Sequence, residues 1–180
     1  VEYFKLAIQA HQSGQFQQAL MHYQACLQLQ PDHPDALHNG ALAAMQIEQY
    51  ELACQMVDQA VAVMPESPQF HNSRGRILIH CQDYSSALSS LKLSEAVGGG
   101  GFQVDLMKGI ALRELGRYED AIQSFERARS QAPEQALVYQ HIGLTWQTQS
   151  QYPAAIEAYQ MALERDAGLI DVYVNLGSCY

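Results

Sequence analysis

Bulky, small and polar side chains return along this chain at a fixed stride of 34 residues. Cut at that stride, the sequence falls in register into blocks 1–33, 34–67, 68–101, 102–135 and 136–169, and residues 170–180 open a sixth. Block one lacks its first column, and no block carries an insertion or deletion. The seventeenth column is aromatic throughout (Phe16, Tyr50, Tyr84, Tyr118, Tyr152) and the twentieth is always alanine (Ala19, Ala53, Ala87, Ala121, Ala155). The eighth is small (Ala7, Ala41, Gly75, Gly109, Gly143, Gly177), and so is the twenty-seventh (Cys26, Ala60, Ser94, Ala128, Ala162). The twenty-fourth is bulky and apolar (Tyr23, Val57, Leu91, Phe125, Tyr159). Each block predicts two helices, A and B, of about 12–14 residues, a length that is marginal in isolation and needs neighbours to pack on.

Every column has a physical cause. Helices approach closely only where side chains are small, so columns 8, 20 and 27 are expected at the crossing of helix A and helix B. The aromatic of column 17 and the bulky residue of column 24 are expected to fill the space between hairpins. Pro31, Pro65 and Pro133 stand in column 32, where a residue that cannot continue a helix ends helix B. Pro34 and Pro68 open the next helix A, and Pro153 stands near the start of a helix B, where a missing N–H costs nothing.

Period and columns together resemble the tetratricopeptide repeat family, over the whole chain. The resemblance implies an all-α fold: a right-handed α-α superhelix, or solenoid, of tetratricopeptide helical hairpins, with residues 1–180 as one array. It also implies that helices A line a concave face, helices B a convex one, and that a protein or peptide partner lies along the concave groove. Carried over column by column, the peptide-binding groove consists of Lys5, His38, Asn39, Gln69, Asn72, Ser73, Arg76, His80, Gln103, Arg113, Gln140 and His141. Amides and imidazoles dominate this set, and both bond to the N–H and C=O groups of an extended chain. Two modes known in the family fit poorly. The carboxylate clamp of chaperone-tail binders finds Phe4, Ile8, Asn39, Gln69 and Ser73 in its first register, and no later register does better. The asparagine ladder of O-linked N-acetylglucosamine transferases would occupy Lys5, Asn39, Ser73, Met107, His141 and Asn175, of which two are asparagine.

Charge narrows the partner. The formal net charge is −9, which argues against a nucleic-acid binder. Residues 1–67 hold one cation, Lys5, and seven acids, a net −6, against −3 for the rest, which reads as a solvated acidic surface or, alternatively, as a preference of the first third for basic partners. No apolar run reaches the roughly 18 residues that would suggest a membrane span. The four cysteines form no CxxC pair and match no zinc or disulfide framework. They read as small buried residues of a reducing, cytoplasmic compartment. The sequence carries no cofactor motif, no HExxH metal motif and no nucleophile–base set, so no cofactor, no metal and no enzyme activity are expected.

Three features depart from the repeat. Gly98–Gly101 replace the usual Pro-containing turn, which reads as a loose loop or, alternatively, a hinge. His71, Arg74, Asp105 and Lys108 put polar groups in columns 4 and 7, with Arg74 expected to meet Asp105 across adjacent helices A. The partial sixth block has no helix B, which reads as a fragment of a longer chain or as an uncapped helix available for a homodimer. The function expected is a protein-interaction scaffold. The alternatives are a substrate-recognition arm of a larger enzyme such as a glycosyltransferase, and a self-associating module.

Overall fold

A computed structural model of the chain describes residues 2–180; Val1 lies outside them. Among the described residues there are eleven α-helices and no strand. They are α1 (Glu2–Gln12), α2 (Phe16–Leu29), α3 (Pro34–Gln46), α4 (Tyr50–Val63), α5 (Pro68–His80), α6 (Tyr84–Ala96), α7 (Phe102–Glu114), α8 (Tyr118–Gln131), α9 (Ala136–Thr148), α10 (Tyr152–Arg165) and α11 (Ile170–Cys179). Odd-numbered helices are the A helices of the blocks and even-numbered ones the B helices. The chain separates into two compact units, one ending at Gly99 and one beginning at Gly100. In the first, α1 to α6 each pack on the next, and α3 also lies beside α5. In the second, α7 to α11 follow the same rule, and α9 touches both α7 and α11. This is the all-α succession of helical hairpins that the resemblance implies.

The small columns sit where the crossings need them. Ala19, Ala53, Ala87, Ala121 and Ala155 are all fully buried, as are Ala60, Ser94, Ala128 and Ala162 of column 27. Column 24 differs from expectation. Its side chains lie inside their own hairpin, over the small residue of column 8, rather than only between hairpins. A Cβ added at Gly75 would stand 2.6 Å from Leu91 Cγ, and one at Gly143 2.6 Å from Tyr159 Cδ1. Tyr23 also reaches the next hairpin, since a Cβ at Gly40 would stand 3.3 Å from its own Cβ. Column 17 does bridge hairpins in one case: the Tyr50 ring stacks on His80, centroids 5.7 Å apart.

Local signals fix the turns. Pro34 and Pro68 occupy the first turns of α3 and α5, and Pro153 that of α10. The amide of Phe70 donates to Ser67 Oγ, and that of Ser86 to Asp83 Oδ1, so two orphan N–H groups are capped. Between helices A and B the chain turns through one left-handed residue in column 15: Gly14, Glu48, Gln82, Gly116 and Ser150 all have φ between 59° and 74°.

The start of the glycine run is tied to the first unit. Ser94 Oγ donates to Pro68 O at 2.9 Å, and the amide of Gly99 donates to Ser94 O at 2.7 Å. A Cβ at Gly99 would stand 2.5 Å from Ser94 Oγ, so this close approach requires glycine.

The charged pairing also differs from expectation. Arg74, expected to meet Asp105, finds its partners inside the first unit. Its Nε donates to Asp58 Oδ1 at 2.6 Å and its Nη1 to Ser90 Oγ at 2.7 Å, both on helices B. Asp105, buried, accepts from Arg127 Nε at 3.0 Å and Gln131 Nε2 at 2.8 Å on α8, with Lys108 Nζ 3.8 Å away. Arg74 and Asp105, in columns 7 and 4, thus reach the B helix of their own hairpin or of the preceding one, where a partner is already in reach. Phe70 and Val104, one step earlier, are buried and supply the displaced apolar contact.

Candidate functional site

The helix A residues proposed for a groove divide between the units. In the first unit, Gln69, Asn72, Ser73, Arg76 and His80 recur at intervals of three and four on α5 and so share one stripe of that helix. Along this stripe burial varies. Gln69 and His80 are exposed, Asn72 and Arg76 half-buried, and Ser73 buried. From α3, Asn39 is half-buried and His38 fully buried. Lys5 on α1 is exposed.

His38 and Ser73 therefore belong to the packing between α3 and α5. His38 Nε2 lies 2.8 Å from Ser73 Oγ, and its ring stacks on Phe70, centroids 4.7 Å apart. Burial pulls the His38 pKa down to about 4; Arg76 and His11 push the same way and Asp35 opposes them. A neutral imidazole bonded to a hydroxyl is a satisfied buried pair.

Arg76 is the unsatisfied member. The other six arginines each stand within 4.0 Å of an acid: Arg74 with Asp58, Arg113 with Glu114, Arg117 with Asp120, Arg127 with Asp105, Arg129 with Glu126 and Arg165 with Glu164. Arg76 Nε is buried and finds no hydrogen-bond partner among the described residues. Burial lowers the Arg76 pKa. Leaving a buried donor unpaired costs about 1–3 kcal/mol, more where it is charged.

In the second unit, the expected residues are tied to one another. Arg113 Nη1 donates to His141 Nδ1 at 3.1 Å, and Arg113 Nη2 donates to Glu114 Oε1 at 2.7 Å. His141 also stacks on Phe125, centroids 5.6 Å apart, and burial followed by the Arg113 charge brings its pKa to about 4. Gln103 is exposed and Gln140 half-buried. Gln147, in the same column set, accepts from the Tyr159 hydroxyl at 2.6 Å.

Two features escape a reading by columns. Four of the paired arginines have an acid one or three residues away in sequence, but Arg74 and Arg127 reach Asp58 and Asp105 on other helices, so the sequence alone does not single out Arg76 as the one without an acid. Nor does the sequence place Cys54 beside Cys81. Cys26 and Cys179 are buried as expected, but Cys54 and Cys81 are half-buried and their Sγ atoms stand 3.1 Å apart. No helix among the described residues is long and apolar enough to cross a membrane.

Known proteins share this architecture. Family models of the tetratricopeptide repeat match residues 10–77 and residues 106–170. Tetratricopeptide repeat protein 13 of Homo sapiens is 26% identical over 187 residues, which cover 93% of this chain; the chain spans 20% of that relative's length. Among solved structures, MamA from Desulfovibrio magneticus RS-1 superposes with a TM-score of 0.84 at 18% identity, covering 93% of this chain and 95% of that one. PilW, a type IV pilus biogenesis factor, gives 0.86 at 17% identity, covering 97% and 84%. YrrB, described as a tetratricopeptide repeat protein with an unusual peptide-binding site, gives 0.80 at 18% identity, covering 97% and 90%. At these identities the structures testify to the fold alone. With a repeat model matching inside each unit and the same hairpin recurring from α1 onward, the chain belongs to the tetratricopeptide repeat family.

Proposed function

We propose that the chain is a protein-interaction scaffold and that the open stripe of α5, with Asn39 of α3 beside it, receives an extended segment of a partner protein that places one carboxylate on Arg76. The observation that carries this reading is the buried, unpartnered Nε of Arg76, in a chain whose other arginines all hold acids. A half-buried guanidinium without an acid carries a cost, which a carboxylate brought to its open side offsets by a charge-assisted bond. Asn72 lies one turn before Arg76 on the same stripe, and Gln69 and His80 extend it in both directions. Their amide and imidazole groups suit the backbone of an extended segment. The peptide site named for YrrB supports the same use of the fold. Residues 1–67 carry net −6, so a strongly acidic partner would be repelled. The fitting partner is neutral or basic around a single Asp or Glu.

Fluorescence anisotropy with a library of short, end-blocked peptides tests this. Each peptide carries one Asp, and its twin carries Asn at the same place. Expected are binders that prefer Asp over Asn. Arg76→Gln should weaken them about tenfold or more and erase the preference, as loss of one charged hydrogen bond requires. Equal binding of the twins, unaffected by Arg76→Gln, would overturn the anchor. Absence of any bound peptide would overturn the scaffold reading of this stripe as well.

A further inference from the structure

Cys54 lies within α4, in the second hairpin, and Cys81 caps the C-terminus of α5, in the third. The packing of α4 on α5 brings their sulfurs to 3.1 Å across 27 residues of chain. Neither backbone is adrift there. Cys54 is inside a helix, and the amide of Cys81 donates to Ile77 O at 3.0 Å. A disulfide has a sulfur–sulfur bond of about 2.0 Å, so the two sulfurs stand within about 1 Å of bonding distance. Both thiols are half-buried, which leaves them open to a small reagent, whereas Cys26 and Cys179 are buried.

We infer that Cys54 and Cys81 form a redox modification site, which a low-molecular-weight disulfide such as oxidised glutathione converts to an intramolecular disulfide that joins the second hairpin to the third. Burial, and then the hydrogen bond to Cys81, push the Cys54 thiol up to about 12, so Cys54 remains protonated and the first attack falls to Cys81. The Cys81 thiolate attacks one sulfur of oxidised glutathione, forming a mixed disulfide and expelling one glutathione thiolate. Once Cys81 is capped, the hydrogen bond and charge by which it raised Cys54 are gone, and the expelled thiolate takes the Cys54 proton. The Cys54 sulfur then attacks Cys81, expelling the second glutathione, which gains a proton from water. Two protein S–H bonds are lost, one S–S bond forms, and oxidised glutathione is reduced to two thiols. The cross-link removes freedom from the unfolded chain and holds α4 against the end of the helix that carries Arg76.

The test uses the whole chain, folded by circular dichroism, in excess oxidised glutathione. Two thiols should disappear, the mass should fall by about 2 Da as two hydrogens leave, and peptide mapping should join Cys54 to Cys81. Dithiothreitol should reverse all three, and the oxidised chain should melt at a higher temperature than the reduced one. Cys54→Ser should stop at glutathione on Cys81. Four free thiols after prolonged exposure would overturn the inference, as would linkage through Cys26 or Cys179 in the folded chain.

Discussion

Gly109 lies beneath the ring of Phe125, so close that a Cβ on it would stand 2.5 Å from Phe125 Cδ1. Gly75 under Leu91 and Gly143 under Tyr159 repeat the arrangement. Column 8 is small because column 24 of the same hairpin is large, and the pair sets how near helix B comes to helix A. Gly109→Ala should therefore destabilise the second unit by about 2 kcal/mol through overpacking, despite alanine's better helix propensity. Phe125→Leu removes part of the ring that the new methyl meets. Urea denaturation of both single variants and the double variant is the measurement. The double variant should lose less than the two single losses combined; strict additivity would show that the two residues do not press on each other.

Column 15 offers the opposite kind of variant, one that improves the chain. Its residue has φ near +60° in all five hairpins, yet only Gly14 and Gly116 are glycine. Glu48, Gln82 and Ser150 hold the same left-handed conformation at φ 60°, 61° and 59°. A side chain there costs roughly 1 kcal/mol from its Cβ against the backbone, offset in part by glycine's larger entropy when unfolded. Glu48→Gly, Gln82→Gly and Ser150→Gly should each raise stability by about 0.5 kcal/mol, and Gly116→Ala should lower it by about 1 kcal/mol. Thermal melts of the four variants check the sign; a lower melting temperature for all three glycine substitutions would show that these side chains make contacts worth more than the strain.

The hairpins were legible in the sequence because the interactions that build them are local and repeated. A small residue in column 20 must face its own helix A, whichever block it stands in, and Ala53 and Ala87 are fully buried as that argument requires. Side-chain partnerships were less legible. By column alone Arg74 matches Asp105, yet each is satisfied inside its own unit, Arg74 by Asp58 and Ser90 and Asp105 by Arg127 and Gln131. The candidate groove shows the same limit. Columns 5 and 6 of helix A straddle the boundary between open face and interior, so His38 and Ser73 turn inward to each other while Asn39 and Asn72 remain half-open. A period specifies which helix a residue occupies and roughly which way it faces. Whether a polar group finds its partner depends on about 1 Å of packing detail that a column of residue types does not carry.

The buried imidazoles make stability depend on pH in a definite window. His38 falls from the ordinary 6.5 to about 4 in the folded chain because burial disfavours its charged form. Between those values the unfolded chain takes up a proton that the folded chain does not. The unfolded state thus binds more protons, and stability must fall as pH drops from about 6.5 towards 4. His141, brought to about 4 by burial and the Arg113 charge, adds to the same slope, and His11 is lowered in the same direction. Asp83, whose carboxylate is held below 3.8 by hydrogen bonds from Ser86, contributes mainly at the acid end of this window and below it, with the same sign. For His38 the full effect is on the order of 3 kcal/mol. Urea midpoints measured from pH 7.5 to 4 should decline for the wild type. His38→Gln, which keeps a polar group for Ser73 but cannot titrate, should decline less over the same range. An unchanged slope in that variant would mean that the His38 ring meets water in the folded chain.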